Sequence, residues 1–185
     1  MPQSIINNGQ QKMEKTIESL KKELQSVKTG RANPAVLNKV EVVYYGSPMP
    51  LNQLATISAP EAQILMIKPF DKNILKDIEK AILVADLNLT PQSDGTVIRI
   101  VFPPLTEQTR KQLVKELKTN SENNKVAIRN IRRDVISQLD KFEKEGLITE
   151  DELKRRQEEV QKLTDKYVAK VEEAIKEKEK QIMEF

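Results

Sequence analysis

The strongest constraint on this chain is where its helix breakers lie. All nine prolines occur at or before Pro104, and residues 105–185 contain no proline and one glycine, Gly146. Proline removes a backbone donor and clashes with the preceding turn, and glycine loses the most entropy on entering a helix. The C-terminal stretch therefore reads as two long helices meeting at Gly146. The first begins near Pro103-Pro104-Leu105-Thr106, with Thr106 as N-cap. Running to about Glu145, it is about 60 Å long at 1.5 Å per residue. The second starts after Thr149, where Thr149-Glu150-Asp151-Glu152 has the form of a capping box. Its Leu153, Val160, Leu163, Tyr167, Val171, Ile175 and Ile182 keep to one helical face.

The N-terminal segment supplies a third helix. Met13, Ile17, Leu20, Leu24 and Val27 recur at intervals of four and three residues, and the pattern stops at Thr29-Gly30. Each helix carries one apolar stripe that it cannot bury alone. A near-antiparallel three-helix bundle is the natural solution.

Residues 31–104 follow a different pattern. Val40–Tyr45, Ile64–Lys68 and Thr96–Phe102 are β-branched or aromatic-rich and read as strands. Asn73–Ala85 has helical spacing at Ile74, Ile78 and Ile82, while 46–50 and 91–95 read as turns. The expected class is α+β. Residues 1–30 and 105–185 form the bundle, and a small α/β domain of residues 31–104 is inserted between its first two helices. Two short crossings, Gly30-Arg31-Ala32-Asn33 and Pro103-Pro104-Leu105-Thr106, suggest a hinge.

Composition removes most chemistry. The chain has no cysteine, histidine or tryptophan, which excludes disulfides, thiol nucleophiles, Cys/His metal sites and histidine-based triads. No GxxxxGK[ST] or GxGxxG loop is present. The acidic pairs Asp151-Glu152 and Glu158-Glu159 lie adjacent on a charged helix and do not converge on one point. The expectation is a protein with no catalytic residues, no metal and no cofactor. The apolar runs at 64–67 and 81–85 are too short to span a bilayer, and residues 1–10 lack the form of a signal peptide. A cysteine-free chain also suits a reducing cytoplasm.

Charge is concentrated instead. Arg110–Arg133 holds eight bases and two acids, a net +6, whereas the whole chain is +3. Lys111, Lys118, Lys125 and Arg132 recur every seven residues, beside a buried seam read at Ile128, Ile131, Val135 and Phe142. Arg129 lies a turn from both Lys125 and Arg132, and Arg133 joins the same cluster. Such a ladder can pair with acids of the last helix, or it can lie along a nucleic-acid backbone. With seven aromatics in the chain, phosphate and shape contacts are favoured over base stacking. The run Thr119–Asn124 puts weak helix formers, including Ser121 and Asn124, where the seam should be apolar. Weak or exposed packing is expected there.

A set of ordered motifs carries a resemblance. They are Thr29-Gly30-Arg31-Ala32, Tyr44-Tyr45-Gly46 followed by Pro48, Pro50-Leu51 with Gln53-Leu54-Ala55, and Asp94-Gly95. Pro103-Pro104-Leu105-Thr106 with Arg110, Arg129–Asp134, Gln161-Lys162-Leu163-Thr164-Asp165 and the terminal Phe185 complete them. Over essentially its whole length the chain resembles the bacterial ribosome recycling factors. It departs from them at Asn88, usually glycine, and at Thr109, usually a second arginine. The resemblance implies an L-shaped monomer with a hinge, whose bundle lies against large-subunit ribosomal RNA. With elongation factor G and GTP, such a factor splits the post-termination ribosome. It also implies RNA contact by Arg31, Arg110, Arg129 and Arg132. The seven-residue ladder itself adds Lys111, Lys118 and Lys125, and the basic cluster adds Arg133. The competing reading is a helical interaction protein whose ladder is satisfied by protein acids.

Overall fold

The computed structural model describes residues 1–184; Phe185 lies outside them. The chain divides into two compact units, one of Met1–Leu24 and Arg110–Met183, the other built on Gln25–Thr109. The borders at 24/25 and 109/110 differ from the 30/31 and 104/105 read in the sequence. Helix α1 (Pro2–Ser26) ends before Gly30, and Asn33 Nδ2 donates to the Gln25 carbonyl in its last turn at 3.4 Å. Gly30 does adopt the left-handed conformation, at φ 77°.

The first unit is the helical one. Helix α4 (Glu107–Lys144) starts at Thr106, whose Oγ1 accepts from Thr109 N–H at 3.1 Å. Thr109 also shares a 2.8 Å hydroxyl hydrogen bond with Thr106, which adds to the cap. The helix closes in a Schellman motif: Gly146 N–H donates to Glu143 O, and Leu147 N–H to Phe142 O, both at 2.9 Å. Helix α5 (Glu150–Met183) begins at Thr149, whose Oγ1 accepts from Glu152 N–H at 3.2 Å. Three acids in its first turn complement the helix dipole.

Helix α1 runs parallel to α5, as Tyr167 OH donating to Glu14 and Arg156 bonding Gln3 show, and antiparallel to α4. Met13, Leu20, Leu117, Ile128, Leu139, Tyr167 and Val171 are fully or almost fully buried between them. The polar run 119–124 is continuous helix, and Ser121 is buried, at 7% exposure. The expectation of exposed packing therefore fails at Ser121, whose small side chain fits the seam. Its neighbours are held as well. Asn124 Nδ2 donates to Asn120 Oδ1 at 2.7 Å, and Asn120 Nδ2 donates to Glu23 Oε2 at 3.1 Å.

The second unit contains six strands and a helix. Strands β1 (Glu41–Tyr44) and β2 (Ser47–Pro50) form a hairpin. Its two turn residues, Tyr45 and Gly46, sit at φ 49° and 80°, as a type I′ turn demands. After a short helical turn α2 (Leu51–Leu54), strands β3 (Ala55–Glu61), β4 (Ile64–Pro69), β5 (Pro91–Ser93) and β6 (Ile98–Val101) form an antiparallel sheet. Their order is β3-β4-β6-β5. Helix α3 (Leu75–Val84) contributes Ile78 and Ile82 to a core shared with Leu65, Ile67, Ile98 and Ile100.

Residues 47–50 and 91–93, read as turns, are strands. Their prolines lie in a two-stranded ribbon or at a strand's first residue, where a missing donor costs little. Asn88, at φ 54°, occupies a left-handed position that asparagine tolerates better than most residues.

Candidate nucleic-acid interface

Successive residues of an α-helix turn by about 100° around its axis. On α4 the buried residues Leu117, Ser121, Ile128, Val135 and Leu139 mark the seam. Between 111 and 133, the neighbouring arc of about 100° carries Lys111, Lys115, Lys118, Lys125, Arg129, Arg132 and Arg133, with Glu122 as its acid. Cations so aligned cover about 33 Å of helix and raise the local potential for a polyanion.

The seven-residue ladder does not stay on one line. A straight helix drifts by about 20° per heptad against a strict seven-residue repeat, so the rungs rotate toward the seam along the chain. Lys111 and Lys118 are exposed, whereas Lys125 and Arg132 are half-buried. Lys125 Nζ lies 2.9 Å from Glu172 Oε1 on α5 and 3.6 Å from Glu122 Oε1. Its hydrogen bond to Glu172 raises the ammonium's pKa, against a smaller opposing effect of burial. At this rung the ladder is satisfied by protein acids. Arg132 meets a neutral partner instead: its Nε donates to Gln161 Oε1 at 2.7 Å. Lys118, Arg129 and Arg133 make no ion pair or hydrogen bond among the described residues. Arg129 and Arg133 are exposed on the same face.

Arg110 falls on the seam side of the first turn of α4. It is half-buried, and its Nε is buried without a hydrogen-bond partner. Arg31 lies in the other unit and is exposed.

The residues read as a hinge all lie within Gln25–Thr109. Asn33 Oδ1 accepts from Ala35 N–H at 3.0 Å, and Ala32 N–H donates to Ala62 O at 2.7 Å. A Cβ placed on Gly30 would meet Leu105 Cγ at 3.5 Å. Gly30, Arg31, Pro103, Pro104, Leu105 and Thr106 help to line a cleft of about 350 Å³ in this unit.

The structure adds residues whose roles the sequence reading missed. Gln161 and Glu172 on α5 set the state of two rungs, and Asp165 in turn accepts from Gln161 Nε2 at 2.8 Å. The drift of the heptad is calculable from sequence and would have flagged Lys125 and Arg132 as flank positions facing another helix. Among the described residues, no group of three or more acids or other metal-ligating residues is placed to hold a metal ion. No described helix is long and apolar enough to cross a membrane.

A family model for the ribosome recycling factor matches residues 20–183. The ribosome-recycling factor of Geobacillus sp. (strain WCH70) is 56% identical over 184 residues, covering all of both chains. That of Bacillus subtilis (strain 168) is 55% identical over the same span and coverage. Among solved structures, a solution structure of the ribosome recycling factor superposes with a TM-score of 0.83 at 40% identity. It covers 100% of this chain and 98% of its own. A second, at TM-score 0.67 and 43% identity over 98% of both chains, belongs to a set of models of the T. thermophilus ribosome recycling factor and E. coli elongation factor G bound to the E. coli post-termination complex.

Proposed function

This chain belongs to the ribosome recycling factor family, and we propose that it uses the basic face of α4 to bind ribosomal RNA of the large subunit. Its function is ribosome recycling. It binds the post-termination ribosome and, with elongation factor G and GTP, separates the subunits and frees them from the messenger RNA. The relative bound with elongation factor G to a post-termination complex supports that choice of partner.

The observation that carries the RNA reading is the exposed set Lys118, Arg129 and Arg133, none of which has a partner among the described residues. Arginine presents a planar fork suited to bidentate phosphate contact. Arg132, Lys111 and Lys125 flank these residues, and Arg31 and Arg110 add contacts outside the ladder. The crossings at Gly30–Asn33 and Pro103–Thr106 serve as the hinge. The chain works as a cytoplasmic monomer without catalytic residues, and GTP is hydrolysed by elongation factor G.

Light scattering by purified post-termination ribosomes tests the function. Addition of this chain with elongation factor G and GTP lowers the scattering, and either protein alone does not. Unchanged scattering with all components present would refute the reading.

A further inference from the structure

Arg132 and Gln161 are the beginning of a longer chain of contacts. Arg132 Nε donates to Gln161 Oε1 at 2.7 Å, and Gln161 Nε2 donates to Asp165 Oδ1 at 2.8 Å. Gln161 and Asp165 stand one turn apart on α5. A carboxylate only accepts hydrogen bonds, while an amide has an accepting end and a donating end. Asp165 therefore holds the amino end of the Gln161 amide and leaves its oxygen facing Arg132. The reverse orientation would set donor against donor and acceptor against acceptor.

A guanidinium carries five N–H donors in a rigid plane. Gln161 occupies the one on Nε, and the four on Nη1 and Nη2 have no hydrogen bond among the described residues. One N–H from each of Nη1 and Nη2 forms the end-on edge of the fork that matches two oxygens of a phosphate. Gln161 is also neutral. It fixes the guanidinium without cancelling its charge, in contrast to Glu172, which meets Lys125 Nζ with a full carboxylate at 2.9 Å.

We infer that Gln161 and Asp165 are positioning residues for phosphate capture, holding the Arg132 guanidinium with its Nη edge ready for an RNA phosphate. The inference rests on the proposal that α4 is the RNA-binding face. Its benefit is pre-organisation: a long side chain ordered before binding does not have to be ordered by it. Ordering one such side chain is worth about two- to ten-fold in affinity.

The test measures dissociation constants for isolated large ribosomal subunits. It compares the native chain, Arg132→Ala, Gln161→Met and the double variant, each checked for native helicity by circular dichroism. Arg132→Ala binds about ten- to a hundred-fold more weakly. Gln161→Met binds about two- to ten-fold more weakly, with the salt dependence unchanged because no phosphate contact is lost. In the Arg132→Ala background, Gln161→Met has no further effect. A neutral Gln161→Met beside a weakened Arg132→Ala would overturn the positioning role. An equal loss with and without Arg132 would also overturn it, since the effect would not pass through the arginine. An Arg132→Ala variant that binds like the native chain would remove the RNA contact itself, which is a different failure. Asp165 has its own arm. Asp165→Asn, which keeps an accepting oxygen, binds more tightly than Asp165→Ala; the opposite order would exclude Asp165 from the chain of contacts.

Discussion

Lys125 Nζ and Glu172 Oε1 lie 2.9 Å apart, joining α4 to α5, and the lysine side chain is 15% exposed while the glutamate remains 59% exposed. Seven residues earlier, Lys118 is exposed and unpaired among the described residues. One ladder thus carries a paired rung and an unpaired one. Lys125→Met costs the bundle about 0.5–1 kcal/mol, in the range of a partly exposed ion pair, and weakens RNA binding little. Lys118→Met leaves stability within about 0.5 kcal/mol and weakens RNA binding more. Urea titrations and subunit-binding curves on both variants check the pair. The Lys125 contribution is complete below the unfolded pKa near 10.5 and is lost as pH rises through the higher folded value, so it disappears only in strong alkali.

Gly9 lets α1 approach α4. A Cβ at Gly9 would lie 2.5 Å from Val135 Cγ2. Valine is stiff at χ1 and buried here, so it cannot turn aside. Gly9→Ala gains about 1 kcal/mol in helix propensity, but overpacking of this kind costs about 1–3 kcal/mol. The expected result is a lower chemical-denaturation midpoint, recovered in part when Val135→Ala is added. A midpoint raised by Gly9→Ala alone would contradict the close approach.

Asp94 organises the turn between β5 and β6. Its Oδ1 accepts from Thr96 N–H and Val97 N–H, each at 2.9 Å, and from Thr96 Oγ1–H at 2.8 Å. The backbone bonds from Val97 and Thr96 lower its pKa from 3.8 to about 2. A carboxylate with a depressed folded pKa stabilises the fold above its unfolded value and loses that contribution as pH falls through the folded one. The small unit therefore loses stability from about pH 4 downward through pH 2. Asp94→Asn flattens this acid limb, as thermal melts between pH 2 and 6 would record.

Lys178 is 9% exposed on α5, with no ion pair or hydrogen bond among the described residues. Burial lowers its pKa, so the charged form works against folding at neutral pH. The penalty is lifted only as pH climbs past the folded value toward the unfolded 10.5. Lys178→Met keeps the buried stem and removes the charge. It stabilises the bundle by about 1 kcal/mol, a gain usual for relieving one such conflict, and differential denaturation at pH 7 would show it.

The helical half was legible because its signals are local. The absence of proline after Pro104, the Thr106 and Thr149 caps and the Gly146 stop each act within one turn, and each appears where the sequence put it. The β region was harder. Pro48, Pro50 and Pro91 resemble turn residues locally and become strand residues only because their neighbours supply the pairing. The ladder was legible as charge but not as geometry. A repeat of seven looks constant in sequence and rotates in space, so the division between Lys118 and Lys125 needed the third dimension. Gln161 was visible within a family motif, yet its role depends on Arg132, which lies on another helix.

The central claim is that the unpaired cations of α4 hold ribosomal RNA. It is tested most directly by binding to isolated large subunits across a range of salt, comparing the native chain with Lys118→Ala/Arg129→Ala/Arg133→Ala. Native binding made through about five phosphates falls with a log–log slope of roughly −3 to −5. The triple variant, equally helical, loses about two to three units of that slope and binds far more weakly at low salt. A triple variant with native affinity and native slope would contradict the claim and place the ribosome contact elsewhere on the chain.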